Sequence, residues 1–170
     1  PPGVPADFHA RIARVVHAAG ARAIVDTSGP ALAACAGCGA YLMKPSLREL
    51  EELCGPLGDD AAIVAAARDL IARDFAEMLL VSRAERGAML VTRDDATPFA
   101  PIPVTPVSAV GAGDSMVAAV TLALSRGASP HEAARHGIAA GTAALMTPGT
   151  ELVRPADYAR LLKQARESAL

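Results

Sequence analysis

The 170-residue sequence contains no tryptophan, and aromatic residues make up only 3% of it. The stacking platforms on which proteins spread single-stranded nucleic acid are therefore missing. Net charge is −2, so no basic field compensates, and nucleic acid is not an expected partner. No apolar run approaches the roughly 20 residues that a membrane span requires. The opening PPGVPADFHARIARVV lacks the basic start and apolar stretch of a secretory signal. It reads as a loop entering a helix, and the chain is expected to begin in the middle of a domain. Cys35, Cys38 and Cys54 are too few for a disulfide framework, and a reducing, cytoplasmic compartment is expected. Cys35 and Cys38 form a C-x-x-C. No second cysteine pair accompanies them, and His9, His17, His131 and His136 are not spaced as partner ligands. The two therefore read as small residues at the end of an alanine-rich helix.

Hydrophobic residues are plentiful, at 52% against 20% charged, which suits one folded domain with a sizeable core. Short, nearly continuous apolar runs at 22–26, 40–44, 77–82 and 88–93 read as buried strands, the last two able to pair as a hairpin. Helical spacing predicts helices over 7–19, 46–54, 60–73, 114–126, 129–146 and 155–169, with a shorter one around 30–37. Ser46 with Glu49 three residues on is a capping-box pattern, and Ser129–Pro130 is a second helix start. Gly137 and Gly141 inside the 129–146 helix permit a close neighbour. The proline-rich stretch 94–110 should be extended, near a sheet edge or over the surface. Alternation of strands and helices predicts an α/β fold, a mostly parallel sheet covered by helices on both faces. Ligands in such folds gather at the carboxyl ends of the strands, where Asp26, Lys44 and Ser82 lie.

One stretch carries chemistry, VGAGDSMVAAV at 110–120. Gly111 and Gly113 let the backbone turn sharply and approach an anion closely, and Ala112 is too small to obstruct it. The helix start behind them offers unpaired N–H groups and a partial positive charge. Asp114 then lies beside any bound phosphoryl group and can accept a proton from an attacking hydroxyl; the alternative is a turn followed by a helix cap. No G-K-[ST] follows, so this is not a P-loop, and the dinucleotide fingerprint is absent as well.

GAGDS followed by a small-residue helix resembles the signature of the PfkB group of sugar kinases, in the ribokinase-like family. PPGVP at 1–5, IVDTSGPAL at 24–32, KPSLREL at 44–50, VSRAERGAML at 81–90 and AAGTAALMTPGT at 139–150 are similar to further segments of those kinases in the same order. The likeness is nearest to the minor-type 6-phosphofructokinases, with 1-phosphofructokinase and tagatose-6-phosphate kinase as relatives. It implies ATP-dependent phosphoryl transfer to a sugar phosphate such as fructose 6-phosphate, with Mg²⁺ and, in some members, K⁺. It also implies that residues 1–170 are the C-terminal, nucleotide-binding and catalytic portion of one ribokinase-like domain. The N-terminal half and the lid, which commonly makes a homodimer, would be absent, leaving an open apolar sheet edge beside 22–26.

By the same resemblance Asp114 is the catalytic base, and Gly111, Ala112 and Gly113 form the anion hole. Glu49 and Asp26 fall at positions near magnesium; as plain residues they would be a capping-box glutamate and a cap on the turn at TSG. Lys44, Ser46, Ser82, Ala84, Gly87, Ile138 and Thr142 fall around the nucleotide. The alternatives are a solvated strand-end position for Lys44 and ordinary core roles for Ile138 and Thr142. Ser46 replaces a usual asparagine, and Ala84 a usual glycine, which is awkward if that position needs a positive φ. Ser108, Val110, Ala144, Thr147 and Gly149 match a monovalent-cation loop, where Glu151 replaces a frequent arginine. These replacements leave open a reading of another class, a non-catalytic nucleotide-binding remnant or assembly module.

Overall fold

The computed structural model describes residues 3–167. Pro1 and Pro2 of the PPGVP segment, and Ser168 and Ala169 of the last expected helix, lie outside them. A five-stranded sheet runs in the order β1 (Ile24–Val25), β2 (Ala40–Met43), β3 (Ala76–Ser82), β4 (Ala88–Thr92) and β5 (Ala96–Phe99). β1, β2 and β3 are parallel, Leu42 lying opposite Ile24 on one side and Met78 on the other. The links from β3 to β4 and from β4 to β5 are far shorter than the dozen or more residues a parallel crossover needs, so this half of the sheet is an antiparallel meander. The helices are α1 (Phe8–Ala18), α2 (Gly29–Ala33), α3 (Leu47–Cys54), α4 (Asp60–Ala72), α5 (Ala112–Ser125), α6 (Pro130–Leu145) and α7 (Pro155–Glu167).

Three expectations change in detail. The strand expected over 22–26 is only two residues long, because β1 is an edge with a single partner and Arg22 and Asp26 on either side face solvent. The proline-rich stretch opens with a strand, β5, whose Pro98 is tolerated because β5 is the opposite edge and owes no ladder bond on its outer side. α5 starts at Ala112, two residues before the expected 114, for reasons that belong to the site.

The chain forms two compact units, one comprising the residues up to Arg83 with Met89–Thr97, the other Ala84–Ala88 with the residues from Pro98 on. In the first, Phe75 just before β3 and Leu79, Val81 and Met43 from the strands pack with Leu50, Ile63 and Leu70 from α3 and α4, all essentially inaccessible to solvent. Phe8, Ile12 and Val15 on α1 stay exposed. In the second, α6 packs along both α5 and α7, and Ala139, Ala143, Leu161 and Leu162 form its centre. Glu132 takes Arg166 of α7 at 2.5 Å and His136, one turn along α6, at 3.4 Å. Burial pushes the Glu132 carboxyl up, but Arg166, His136 and Arg135 more than offset it and hold it below the ordinary range.

The glycines of α6 set how near α5 can come. A Cβ on Gly137 would lie 2.6 Å from Val120 Cγ2 and 3.1 Å from Met116 Cγ. Val120 is buried and β-branched, so it cannot turn aside. Gly137→Ala gains helix propensity yet is expected to lose about 1–2 kcal/mol net from overpacking, read as a lower midpoint in urea unfolding.

Candidate active site

In the first unit the carboxyl ends of β1, β2 and β3 bring five of the expected residues to one side of the sheet. Val25 ends β1, and Asp26 follows; Met43 ends β2, and Lys44 follows. The two side chains pair, Lys44 Nζ lying 3.4 Å from Asp26 Oδ1. Lys44 is only 6% exposed, so it is not a solvated strand-end lysine. Its stem continues the apolar face of β2, and a buried ammonium needs the carboxylate beside it. Asp26 accordingly serves that pair, with its own outer side open to solvent. Past Lys44 the chain stays beside β3: Ser82 N–H donates to Pro45 O at 3.0 Å, and Ser46 and Ser82 form a parallel bridge.

Ser46 caps α3. Its Oγ accepts from Glu49 N at 3.3 Å, and Ser46 N donates to Glu49 Oε2 at 2.7 Å, a complete capping box. The bland reading of Glu49 therefore holds. One carboxylate oxygen is committed to the helix start, and the group is fixed in place while the other oxygen makes no bond in that box. Arg83 is 7% exposed and donates to Asp60 Oδ1 at 2.7 Å. It ties the end of β3 to the first turn of α4. The only signal for this in the sequence is an arginine directly after an apolar strand, too common to single out.

In the second unit the loop expected to meet a nucleotide, Ala84–Gly87, forms a 3-10 turn over Ala84–Arg86. Ala84 adopts φ 50°, the left-handed region. The replacement of glycine is thus strained, and Ala84→Gly is expected to stabilise the chain. Removing the Cβ relieves about 1–2 kcal/mol, of which about 0.4–1 returns as unfolded-state entropy. A rise of about 0.5–1 kcal/mol in urea unfolding would register it.

The helix start at GAGD differs from a plain aspartate cap. Gly111 is the N-cap, in the left-handed region at φ 78°, so α5 begins at Ala112 and Asp114 is its third residue. A cap in that conformation is natural only for glycine. Asp114 is thereby moved off the cap position: its side chain makes no cap hydrogen bond, and it stands exposed in the first turn. Ser115 N is the first to join the helical ladder, donating to Gly111 O at 2.8 Å. The exposed Gly113 and Asp114 N–H groups precede it, at the positive end of the helix. From below, Gly141 holds this turn: a Cβ there would lie 3.1 Å from Ala112 O.

Ile138 is buried on α6, and Thr142 one turn later is half-buried. Around the expected cation loop, Val107 N and Ser108 N donate to Leu145 O at 2.7 and 3.2 Å, and Val110 N donates to Ser108 Oγ at 3.2 Å. Ala144 O accepts both Thr147 N, at 3.2 Å, and Thr147 Oγ1, at 2.9 Å. Thr147 is buried there, while Gly149 and Glu151 are exposed. Among the described residues no group of three or more His, Cys, Asp or Glu side chains is arranged to hold a metal.

Residues 1–157 match the model of a family described as pfkB family carbohydrate kinase. The chain is 45% identical over 168 residues to ATP-dependent 6-phosphofructokinase isozyme 2 of Mycobacterium tuberculosis, covering 98% of this chain and 49% of that protein. It is 43% identical over 129 residues to 1-phosphofructokinase of Xanthomonas campestris pv. campestris, covering 73% of this chain and 40% of that one. Among solved structures it resembles phosphofructokinase-2 from Escherichia coli in complex with potassium, with TM-score 0.90 and 36% identity over 98% of this chain and 54% of that chain. The same E. coli protein in a tetrameric inhibited form gives TM-score 0.86 at 34% identity, with the same coverage. The chain thus spans about half the length of the curated relatives it matches.

Proposed function

The chain belongs to the pfkB family of carbohydrate kinases, and on that premise we propose that it supplies the nucleotide site and catalytic base for transfer of the γ-phosphoryl group of ATP to a hydroxyl of fructose 6-phosphate. The observation that carries this reading is the start of α5, where an exposed carboxylate and uncapped N–H groups share one helical turn. Asp114 accepts the proton of the sugar hydroxyl, and the N–H groups behind Gly111 hold the anionic oxygens of the phosphoryl group as charge develops.

The nucleotide contacts proposed by the resemblance are Lys44, Ser46 and Ser82 in the first unit and Ala84, Gly87, Ile138 and Thr142 in the second. Magnesium suits the remaining donors. It is bound typically by one or two carboxylates, waters and substrate phosphates rather than by a protein cage, which fits a chain offering Asp26 and the free oxygen of Glu49 and no larger cluster among its described residues. When bound, the metal neutralises phosphate charge. Potassium would draw on carbonyls among Ser108, Val110, Ala144, Thr147 and Gly149, with Ala144 contributing least because its oxygen already accepts two bonds. Residues 1–170 act as the C-terminal portion of one ribokinase-like domain, in a cytoplasmic enzyme that assembles at least as a homodimer.

The 1-phosphofructokinase relative supports fructose 1-phosphate as the alternative substrate. Calorimetric titration of the 170-residue chain with Mg·ATP, beside ADP release by the complete gene product, tests the proposal. ADP release that requires fructose 6-phosphate supports it. Dependence on fructose 1-phosphate moves the substrate, and binding of Mg·ATP without sugar-dependent release leaves a nucleotide-binding remnant, the reading that Ser46 and Ala84 favour.

A further inference from the structure

Cys35 and Cys38, read from sequence as small packing residues, have a geometry that packing does not require. Cys38 N donates to Cys35 O at 3.1 Å, so Cys35-Ala36-Gly37-Cys38 is a closed β-turn after α2. The Cα atoms of such a turn's first and last residues lie within about 7 Å, the spacing a disulfide uses. The thiols donate to Ala31 O and Phe75 O, each at 3.2 Å, and each sulfur perturbs the other. Both sulfurs are buried in the core, but Ala36 and Gly37 between them are exposed, so a local opening that releases the turn from Arg73, Asp74 and Phe75 brings them to solvent.

From this turn we infer that Cys35 and Cys38 are a reversible oxidation site, closing to an intramolecular disulfide when the chain meets a hydroperoxide. Cys38 is the attacking sulfur. The Cys35 thiol beside it, with the Ala40 N–H and the Arg14 charge, outweighs burial and the Asp74 charge and lowers its pKa to about 7. Cys38 and burial push the Cys35 thiol up and keep it protonated. The Cys38 thiolate attacks the outer peroxide oxygen; the O–O bond breaks, an alcohol leaves after taking up a proton, and Cys38 becomes a sulfenic acid. The Cys35 sulfur then attacks Cys38; the S–S bond forms, the S–O bond breaks, and the hydroxyl leaves as water with the Cys35 proton. A dithiol reverses the reaction.

Tryptic peptides separate the thiols, because cleavage after Arg22, Arg48 and Arg68 puts Cys35 and Cys38 on 23–48 and Cys54 on 49–68. The native chain is treated with hydrogen peroxide, then denatured in iodoacetamide and digested. Peptide 23–48 is expected unalkylated and about 2 Da lighter, restored by dithiothreitol, and formed about tenfold faster than any change at the exposed Cys54, whose thiol burial pushes up. In Cys35→Ser, dimedone should instead trap a sulfenic acid on Cys38. Two alkylated cysteines on 23–48, sulfinic acid at Cys38 in the unaltered chain, or a bridge to Cys54 would each overturn the inference.

Discussion

Asp114→Asn in the complete gene product is expected to lower kcat by about 10²- to 10⁴-fold while leaving affinity for Mg·ATP within about twofold. Asparagine keeps the size of the side chain and removes only its ability to take a proton. The fold has little stake in the change, because Asp114 is exposed and makes no cap bond; Gly111 holds the cap position. The first-turn carboxylate does interact favourably with the helix dipole, but losing that costs only about 0.3–1 kcal/mol. A large fall in kcat with unchanged unfolding therefore isolates the proton-transfer role. Asp114→Ala should behave alike in turnover, since neither variant can accept the proton. Steady-state kinetics with a urea midpoint for each variant checks both halves of the expectation, and near-normal turnover in either would remove Asp114 from the chemistry.

Gly87→Ala is expected to cost more stability than any other single substitution considered, above about 3 kcal/mol. Gly87 sits at φ 79°, already costing about 1–2 kcal/mol for any L side chain. The added Cβ would also overlap the Phe99 carbonyl oxygen outright and lie 2.8 Å from Pro101 N. Both are backbone atoms, so no rotamer change relieves the clash. Gly111→Ala is the natural comparison. Its φ is 78°, nearly the same, but nothing lies within 4 Å of the new Cβ. It should lose only about 1–2 kcal/mol, all of it conformational. Urea unfolding of the two variants side by side separates strain from collision, and equal losses would mean that the Phe99–Pro101 segment yields freely.

The local rules were legible where one residue decides the outcome. Ser46 with Glu49 and Ser129 with Pro130 cap their helices as spacing and chemistry dictate. Gly137 and Gly141 announced a close neighbour, which the structure shows to be α5, because only a missing Cβ allows the approach. Features that depend on contacts distant in sequence were less legible. Lys44 looks like any lysine ending a strand; that it is buried follows from Asp26, eighteen residues earlier and brought alongside by the β1–β2 pairing. β5 was legible only as an extended stretch near a sheet edge or over the surface, because proline argues against strands; its place at the edge makes Pro98 harmless. The start of α5 was misplaced by two residues because aspartate is the commoner cap, and a left-handed glycine can take that position without any side chain at all. That small displacement matters most for the site, since it releases Asp114 from capping.

The role of Asp114 and the N–H groups behind Gly111 is tested most directly by following phosphorus through the reaction. Phosphorus NMR of the complete gene product with Mg·ATP and fructose 6-phosphate should show the γ-phosphoryl signal replaced by that of a second phosphate ester on the sugar, with ADP formed in equal amount, and Asp114→Asn should slow that conversion at least about a hundredfold. Inorganic phosphate accumulating in place of the sugar ester, or conversion by Asp114→Asn at the rate of the unaltered protein, would contradict it.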